Sequence, residues 1–511
     1  LLRGVGGGIA ATMLGGFLHW SMTQAADSLP YVVLVVLDGA RSEYFDFANL
    51  PHLKALMHSG TQYTNAFSGI LESETPSAHV SIATGWEPRK TGIPSFWWGQ
   101  SDTRVSLFSP SKIRAGDMEK IIRDAKVPTL AGLVHANYPN AKVVALSGSK
   151  YYAADAIGGP DADITMYFSG NPSGQFAPTF VPGHQPPSSL LNNPALHYGS
   201  TNLPLGVENH LAMQLAIDTF TTMKQRVTLI NLPEFDWPVG HVHGGVLDET
   251  RARTLMTGFD RDLGTLKAAY ERAGVLNQTI FVVMADHGMM PLKHKIPMAD
   301  FTNQITKAGA SIVAQTYTSA VYFWLKESDR VLQAGKNIAA LNNPYIQALY
   351  VKTKTSSGQV YQRLTDLKRM RAAGTAAANQ YLLNTFNGPT APDIVISLVE
   401  GVGVEPFGQG GWLADHGGTS WQAQHLPLVI SGPGVRSNYV SAQPARLIDI
   451  SPTILELMGI PHKRMQGVAL ADAIKSPSAD AAQRQKALQA PLTAVVNALQ
   501  QESKLEVAAG L

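Results

Sequence analysis

The chain has 511 residues, with 45% hydrophobic and 15% charged side chains, 40 basic residues against 38 acidic ones, and no cysteine. Such a composition belongs to a globular protein and not a disordered one; its charge balance gives no support for a nucleic-acid groove or a polybasic membrane patch. Without cysteine, thiolate metal sites, thiol nucleophiles and disulfides are excluded, so any metal must be held by Asp, Glu, His or hydroxyl oxygen.

The first segment, residues 1–26, places Arg3 before an apolar run that ends at Leu18, with small residues at Thr23, Ala25 and Ala26. That order reads as a secretory signal peptide, and so as an exported, periplasmic or extracellular protein. The run is shorter than the roughly 20 residues a spanning helix needs; a retained N-terminal anchor or a buried helix are the other readings. No later segment reads as transmembrane.

Apolar, β-branched runs then recur at YVVLVVL (31–37), KVVALS (142–147), VTLIN (227–231), TIFVVM (279–284), DIVISL (393–398) and PLVIS (427–431). Each is continuous and not alternating, the pattern of strands buried on both faces of a parallel sheet. Helical patterns lie between them, clearest at 207–225 and at 249–273, the second closed by Gly274. Strands alternating with helices predict an α/β fold, a mostly parallel central sheet with helices on both faces. Residues 27–475 form the expected catalytic body, with 291–390 as an inserted cap and 94–135 and 160–205 as long surface loops. Residues 476–511, rich in Ala and Gln, read as a peripheral helix.

In such folds the ligand site lies beyond the carboxyl ends of the strands. Asp38 follows the first run directly, Asp236 comes a few residues after VTLIN, and Asp286 and His287 follow TIFVVM. The tetrapeptide Ala-Asp-His-Gly around Asp286 recurs around Asp415, where it supplies His416. His241 and His243 follow Asp236 in GHVHGG. Taken singly, a strand-end Asp reads as a loop cap and a paired His as a polar loop. Together they make two sets of three, Asp38/Asp286/His287 and Asp236/His241/His416, and a catalytic zinc takes three such ligands and leaves a position open. Thr75, just before Pro76, carries an N-cap signature at a helix start, where backbone N–H groups can cradle a phosphate or sulfate.

The run LDGAR, then TPSAHVSIATG, then Asp236 with GHVHG, then DHG, then HGG before PLVISGPG resembles the alkaline phosphatase superfamily. It is most similar there to the type I phosphodiesterase/nucleotide pyrophosphatase branch, over roughly residues 32–467. The resemblance implies an alkaline phosphatase-like fold and a metal-dependent phosphoric ester hydrolase with two zinc ions. It implies Thr75 as nucleophile and metal contact, passing through a phospho-threonine. Asp38, Asp286 and His287 would bind the metal that activates this hydroxyl, and Asp236, His241 and His416 the metal that later activates water. The implied partner is a small-molecule phosphoester.

Departures from the family pattern bear on substrate choice. Glu74 stands where formylglycine sulfatases need Cys or Ser. Phe96 stands where the phosphodiesterase branch has an Asn, leaving Ser95 as the nearby polar side chain for substrate. Asp236 and His241 are one residue further apart than usual, so His243 is a fallback ligand. Lys150 matches the Lys of the phosphomonoesterase Lys-x-Arg pair, but Tyr152 replaces its Arg. Lys150 and Ser95 are thus the candidate substrate-binding residues. Phosphodiesterase activity is expected first and phosphomonoesterase second; a non-catalytic binding member of the fold is the alternative of another class. Phe96, Trp97 and Trp98 are candidates to stack a flat group.

Overall fold

A computed structural model describes residues 29–107, 117–356, 358–405 and 411–510. The expected signal peptide lies outside the described residues. Nine strands build the central sheet: β1 (Tyr31–Leu37), β2 (Gly60–Phe67), β3 (Val143–Ser147), β4 (Ile164–Gly170), β5 (Phe176–Phe180), β6 (Val227–Leu232), β7 (Thr279–Met284), β8 (Leu428–Ser431) and β9 (Tyr439–Arg446). Their spatial order is β9-β2-β8-β7-β1-β6-β3-β4-β5. The pairs around β1, and β3 with β4 and β6, are parallel. The fold is α/β, as the strand–helix alternation predicts, and every residue of β6 and β7 is buried.

Two expected strands differ in detail. PLVIS supplies β8, but it runs antiparallel between β2 and β7. A continuous apolar run reports burial on both faces and says nothing of direction. DIVISL does not join the central sheet. Its strand Ile394–Leu398 lies inside a second, five-stranded sheet, antiparallel to Ala320–Leu325 and Ile346–Thr355. That sheet, termed the cap sheet, spans Ile312–Tyr317 through Ile394–Leu398 and so extends beyond residue 390.

The segment 160–205 is less of a loop than expected, since it contributes β4 and the antiparallel edge strand β5. Most of its Pro, Gly, Asn and Ser residues lie outside those strands, although Ser169, Gly170 and Pro178 lie within them. The expected helices appear at Val207–Met223 and Glu249–Arg272. The latter starts with the Asp248 side chain accepting from the Arg251 N–H, which satisfies a free N–H at the helix start.

The C-terminal helix Ala479–Ala508 is less peripheral than its composition implies. It buries Leu492, Val496 and Leu499 in the cluster that also holds the cap residues Tyr322, Tyr350 and Val395. Glu502 on the same helix accepts hydrogen bonds from the N–H groups of Arg371 and Ala372 and from Thr375 Oγ1. Those groups lie at the start of the cap helix Thr375–Phe386, where a carboxylate is favoured. Among the described residues no helix is long and apolar enough to cross a membrane.

Candidate active site

The site is assembled by strand register. Val36 of β1 pairs with Asn231 of β6 on one side and Met284 of β7 on the other, so the three strands end side by side. Asp38, Asp236 and Asp286 follow those ends. Asn231 Nδ2 donates to Asp38 Oδ2 at 2.7 Å, and Ser147 at the end of β3 donates to Asn231 Oδ1 at 2.8 Å. The Gly39 N–H donates to Asp286 Oδ1 at 3.0 Å. Gly39 has φ of 73°, and a Cβ there would press on Asp236, so this turn between two of the acids favours glycine.

Thr75 and Pro76 open the buried helix Thr75–Thr84, but Thr75 is its first helical residue and not its cap. The cap is Glu74, in extended backbone and without a side-chain capping bond. Glu74 turns instead to the segment carrying Ser95 and Phe96, accepting from the Phe96 N–H at 2.6 Å and from the Ser95 hydroxyl. Ser95, the expected substrate contact, is fully buried on Glu74 and is absent from the cavity lining. Trp98 is buried in the cap cluster, so of the three expected aromatic residues only Phe96 and Trp97 reach the cavity.

Lys150 Nζ lies 2.8 Å from Asp38 Oδ1, 2.5 Å from Asp236 Oδ2 and 3.4 Å from Thr75 Oγ1. Burial opposes its charge, but Asp236 and Asp38 outweigh that and hold the ammonium well above the usual lysine range. The same contact acts on Asp236. Burial works against its ionisation, while Lys150 and His241 hold its carboxyl well below the usual range.

The extra residue between Asp236 and His241 is absorbed locally. The His241 N–H donates to the Asp236 carbonyl at 3.0 Å, closing a π-type turn over Asp236–Gly240. His241 Nε2 thereby returns to 3.2 Å from Asp236 Oδ1, and its Nδ1 faces the Ala414 carbonyl at 3.0 Å. His243 falls outside the cluster. The second ADHG copy meets the first through a short antiparallel ladder, Met290 opposite Asp415 and Pro291 opposite Ala414.

Asp38/Asp286/His287 and Asp236/His241/His416 each offer ligand atoms within 4.8 Å of one another, and all six residues are buried. In the first group Asp286 Oδ2 and His287 Nε2 make no well-aligned hydrogen bond; in the second, neither do His416 Nδ1 and Asp236 Oδ1, the latter having only His241 Nε2 beside it at 3.2 Å. Buried polar atoms without partners are costly, and four of them gathered in two groups of oxygen and nitrogen donors fit a pair of cations. Burial and the Asp38 charge push Asp286 up to about 8. Burial and the neighbouring His287 hold His416 well below the usual histidine range.

A cavity of about 530 Å³ opens beside these groups, lined by Thr75, Lys150, all three residues of the second group and six aromatic residues. The sequence reading missed Trp237, Tyr317 and Trp412 on these walls. Trp237 and Trp412 flank Asp236 and His416 in the chain, a proximity that was available as a signal. Tyr317 was not legible, because it arrives on a cap hairpin. That hairpin is latched at both sides: Thr318 and Thr316 hydroxyls donate to Glu72 and Glu74, and the Ser319 N–H donates to the His416 carbonyl at 2.8 Å.

The sequence pattern of the type I phosphodiesterase/nucleotide pyrophosphatase family matches residues 32–410. The chain belongs to that family. A stretch of 135 residues is 30% identical to alkaline phosphatase PhoK of Sphingomonas sp, covering 24% of this chain and 23% of that protein. Forty residues are 48% identical to arylsulfatase K of Danio rerio, 8% of each chain. These matches thus span less than a quarter of either relative. In structure, this family member is similar to the alkaline phosphatase PafA, with a TM-score of 0.66 and 17% identity over 87% of this chain and 99% of that one. Human ectonucleotide pyrophosphatase/phosphodiesterase 5 follows the same fold, with a TM-score of 0.57 and 16% identity over 87% of this chain and 100% of that one. Its murine counterpart, solved as an inactive form with AMP, has a TM-score of 0.56 and 15% identity over 89% and 99% of the two chains.

Proposed function

We propose that this chain is a two-zinc phosphoester hydrolase that works through a phospho-threonine on Thr75 and prefers diesters. The reading is carried by the two buried ligand groups bridged by Lys150, whose ammonium also lies 3.4 Å from Thr75 Oγ1. Asp38, Asp286 and His287 would hold one metal, and Asp236, His241 and His416 the other. When bound, two such ions supply Lewis acidity that eases ionisation of a hydroxyl and of water and neutralises the entering and leaving oxygens.

The chain's own residues do the rest. Thr75 Oγ1 attacks phosphorus, the bond to the departing alcohol oxygen breaks, and water later releases the phosphoryl group from Thr75. Lys150 is aimed to hold a non-bridging oxygen. Asn231 and Ser147 keep the Asp38 carboxylate turned toward the site, and the His287 ring is fixed by its Nδ1 contact to the Gly288 carbonyl at 2.9 Å. Diesters are favoured because, among the described residues, the cavity offers one Lys and no Arg to a phosphoryl group, whereas a monoester brings an extra negative charge. Tyr152, in the place of a possible second cation, packs edge-on against Phe96 with centroids 4.8 Å apart. Lys150 itself favours the second reading, a phosphomonoesterase. The basic, apolar, small-residue order of residues 3–26 supports action outside the cytoplasm.

The test uses zinc-loaded protein with p-nitrophenyl phosphate, its bis-ester, p-nitrophenyl sulfate and a phosphonate ester, with EDTA and Thr75→Ala controls. We expect turnover of the bis-ester, lost in EDTA and in Thr75→Ala. Wild-type turnover by Thr75→Ala would sink the mechanism, and no turnover of any ester would favour a binding protein. A monoester preference above about tenfold, about 1.4 kcal/mol in transition-state terms, would reverse the two substrate readings.

A further inference from the structure

We propose that Trp237 and Trp412 form a subsite for a planar, uncharged aromatic group on the departing alcohol. This rests on the Thr75 attack proposed above. In a displacement at phosphorus the entering and leaving oxygens lie roughly in line. The Thr75 side of the cavity is tied to the first ligand group: His79 Nδ1 faces the Thr75 carbonyl at 2.9 Å and Asp286 Oδ2 at 3.4 Å. The departing oxygen therefore faces the second group, Asp236, His241 and His416.

Both tryptophans stand at that group. The Trp412 ring lies 4.2 Å from the His241 ring, tilted by 39°. The Trp237 ring lies 6.2 Å from His241 and 6.3 Å from Trp412, at 66° to the latter. Trp237 is 48% exposed, and among the described residues it is the only exposed Phe, Tyr or Trp. Folding leaves that indole in water, and a flat apolar group would cover it.

The other walls have less to offer. Phe96 is packed against Tyr152. The Trp97 ring carries the Arg104 guanidinium at 5.0 Å, and its Nε1 donates to the Gln315 carbonyl at 2.6 Å. Charge points the same way. Among the described residues Lys150 is the one Lys or Arg lining the cavity and is engaged by Asp38 and Asp236, while Glu74, Glu208 and Asp415 also line it. A polyphosphate leaving group would meet carboxylates there; an uncharged ring would meet indole faces.

For an aryl diester the step balances simply. The Thr75 Oγ1–P bond forms after its proton passes to water, and the P–O bond to the aryl oxygen breaks. The electron pair leaves on the phenolate, which needs no proton.

Methyl 4-nitrophenyl phosphate carries one aromatic group, the one that departs, and so isolates this subsite. Trp237→Ala and Trp412→Ala should each raise its KM by about three- to tenfold, the scale of one aromatic contact, with a smaller change in kcat. Calorimetry of 4-nitrophenol binding to EDTA-treated protein should show the same loss, and Trp237→Phe should keep most of the affinity. Unchanged KM and unchanged 4-nitrophenol affinity in the Ala variants would overturn the subsite. A fall in kcat alone would overturn it too, because it marks a structural role. If Trp412→Ala fails to fold, the exposed Trp237 carries the test. If Thr75→Ala keeps turnover, the mechanism falls, while the 4-nitrophenol measurement still decides the subsite.

Discussion

The imidazole rings of His287 and His416 stack with centroids 3.7 Å apart and 18° between their planes. They come from the two copies of Ala-Asp-His-Gly, which the Met290–Asp415 ladder holds side by side. The aspartates beside them are used differently. Each accepts the N–H of the histidine that follows it, but Asp286 keeps a buried oxygen without a hydrogen bond, whereas Asp415 lies 3.9 Å from His241 Nδ1.

Asp286→Asn should therefore remove a donor, while Asp415→Asn should only loosen the support of two histidines. We expect Asp415→Asn to cost about 10–100-fold in zinc affinity or activity, and Asp286→Asn distinctly more. Zinc content by mass spectrometry and bis-ester turnover check this. Equal damage would mean that both copies supply an acid to the metals.

Lys150→Met leaves Asp38 and Asp236 facing each other without their shared cation. In EDTA-treated protein this should cost about 3–5 kcal/mol of stability, the scale of a broken buried pair. Zinc restores positive charge to the same acids, so denaturant unfolding should show a smaller penalty in loaded protein. Turnover should still fall, by about 10²–10³. An equal stability penalty with and without zinc would argue against metal binding at these acids.

Two glycines should answer alanine in opposite directions. A Cβ on Gly288 would overlap the carbonyl oxygen of Gln422, which is backbone and cannot swing away. Its glycine serves close approach and not a left-handed turn, which is the role of Gly417 at φ of 73° in the second copy. Gly288→Ala should cost more than about 3 kcal/mol. Gly258, within the helix Glu249–Arg272, has nothing near its missing Cβ. Gly258→Ala should add about 0.5–1 kcal/mol, measured as midpoints of urea unfolding.

Asp155 is fully buried, and neither of its carboxylate oxygens has a hydrogen-bond partner. Burial, reinforced by Glu119, pushes it from 3.8 up to about 8, against the pull of His184 and Arg123. Between those values the folded chain keeps a proton that the unfolded chain has released. Stability should therefore fall as pH rises through this window, by up to about 1.4 kcal/mol per unit from this group. Asp155→Asn should gain on the wild type from pH 5 to pH 8 and gain no more above it. A stability difference independent of pH, read from thermal unfolding across this range, would show that Asp155 is ionised in the fold.

Much of the molecule was legible in one dimension. The apolar runs at 31–37, 227–231 and 279–284 announce buried strands, and the acids that follow them announce a site at their carboxyl ends. The α/β fold and the family follow from such local patterns. Direction and sheet membership do not, because Val-Leu-Ile runs look alike in a parallel core strand, in antiparallel β8 and in the cap strand Ile394–Leu398. Ser95 is a related case. A hydroxyl near a substrate position in the chain can be spent on a buried carboxylate, and Glu74 takes this one.

What residue order settles here is chemistry: oxygen and imidazole donors without thiols, a hydroxyl at a helix start, and acids at strand ends. These depend on side-chain identity and on chain geometry over a few residues. Only the tertiary structure decides which histidine turns back to Asp236, which acids share Lys150, and which indole stays in water beside His241. Those relations join residues hundreds of positions apart. They are set by strand register, by one π-type turn and by a hairpin arriving from the cap, none of which leaves a periodic trace in the chain.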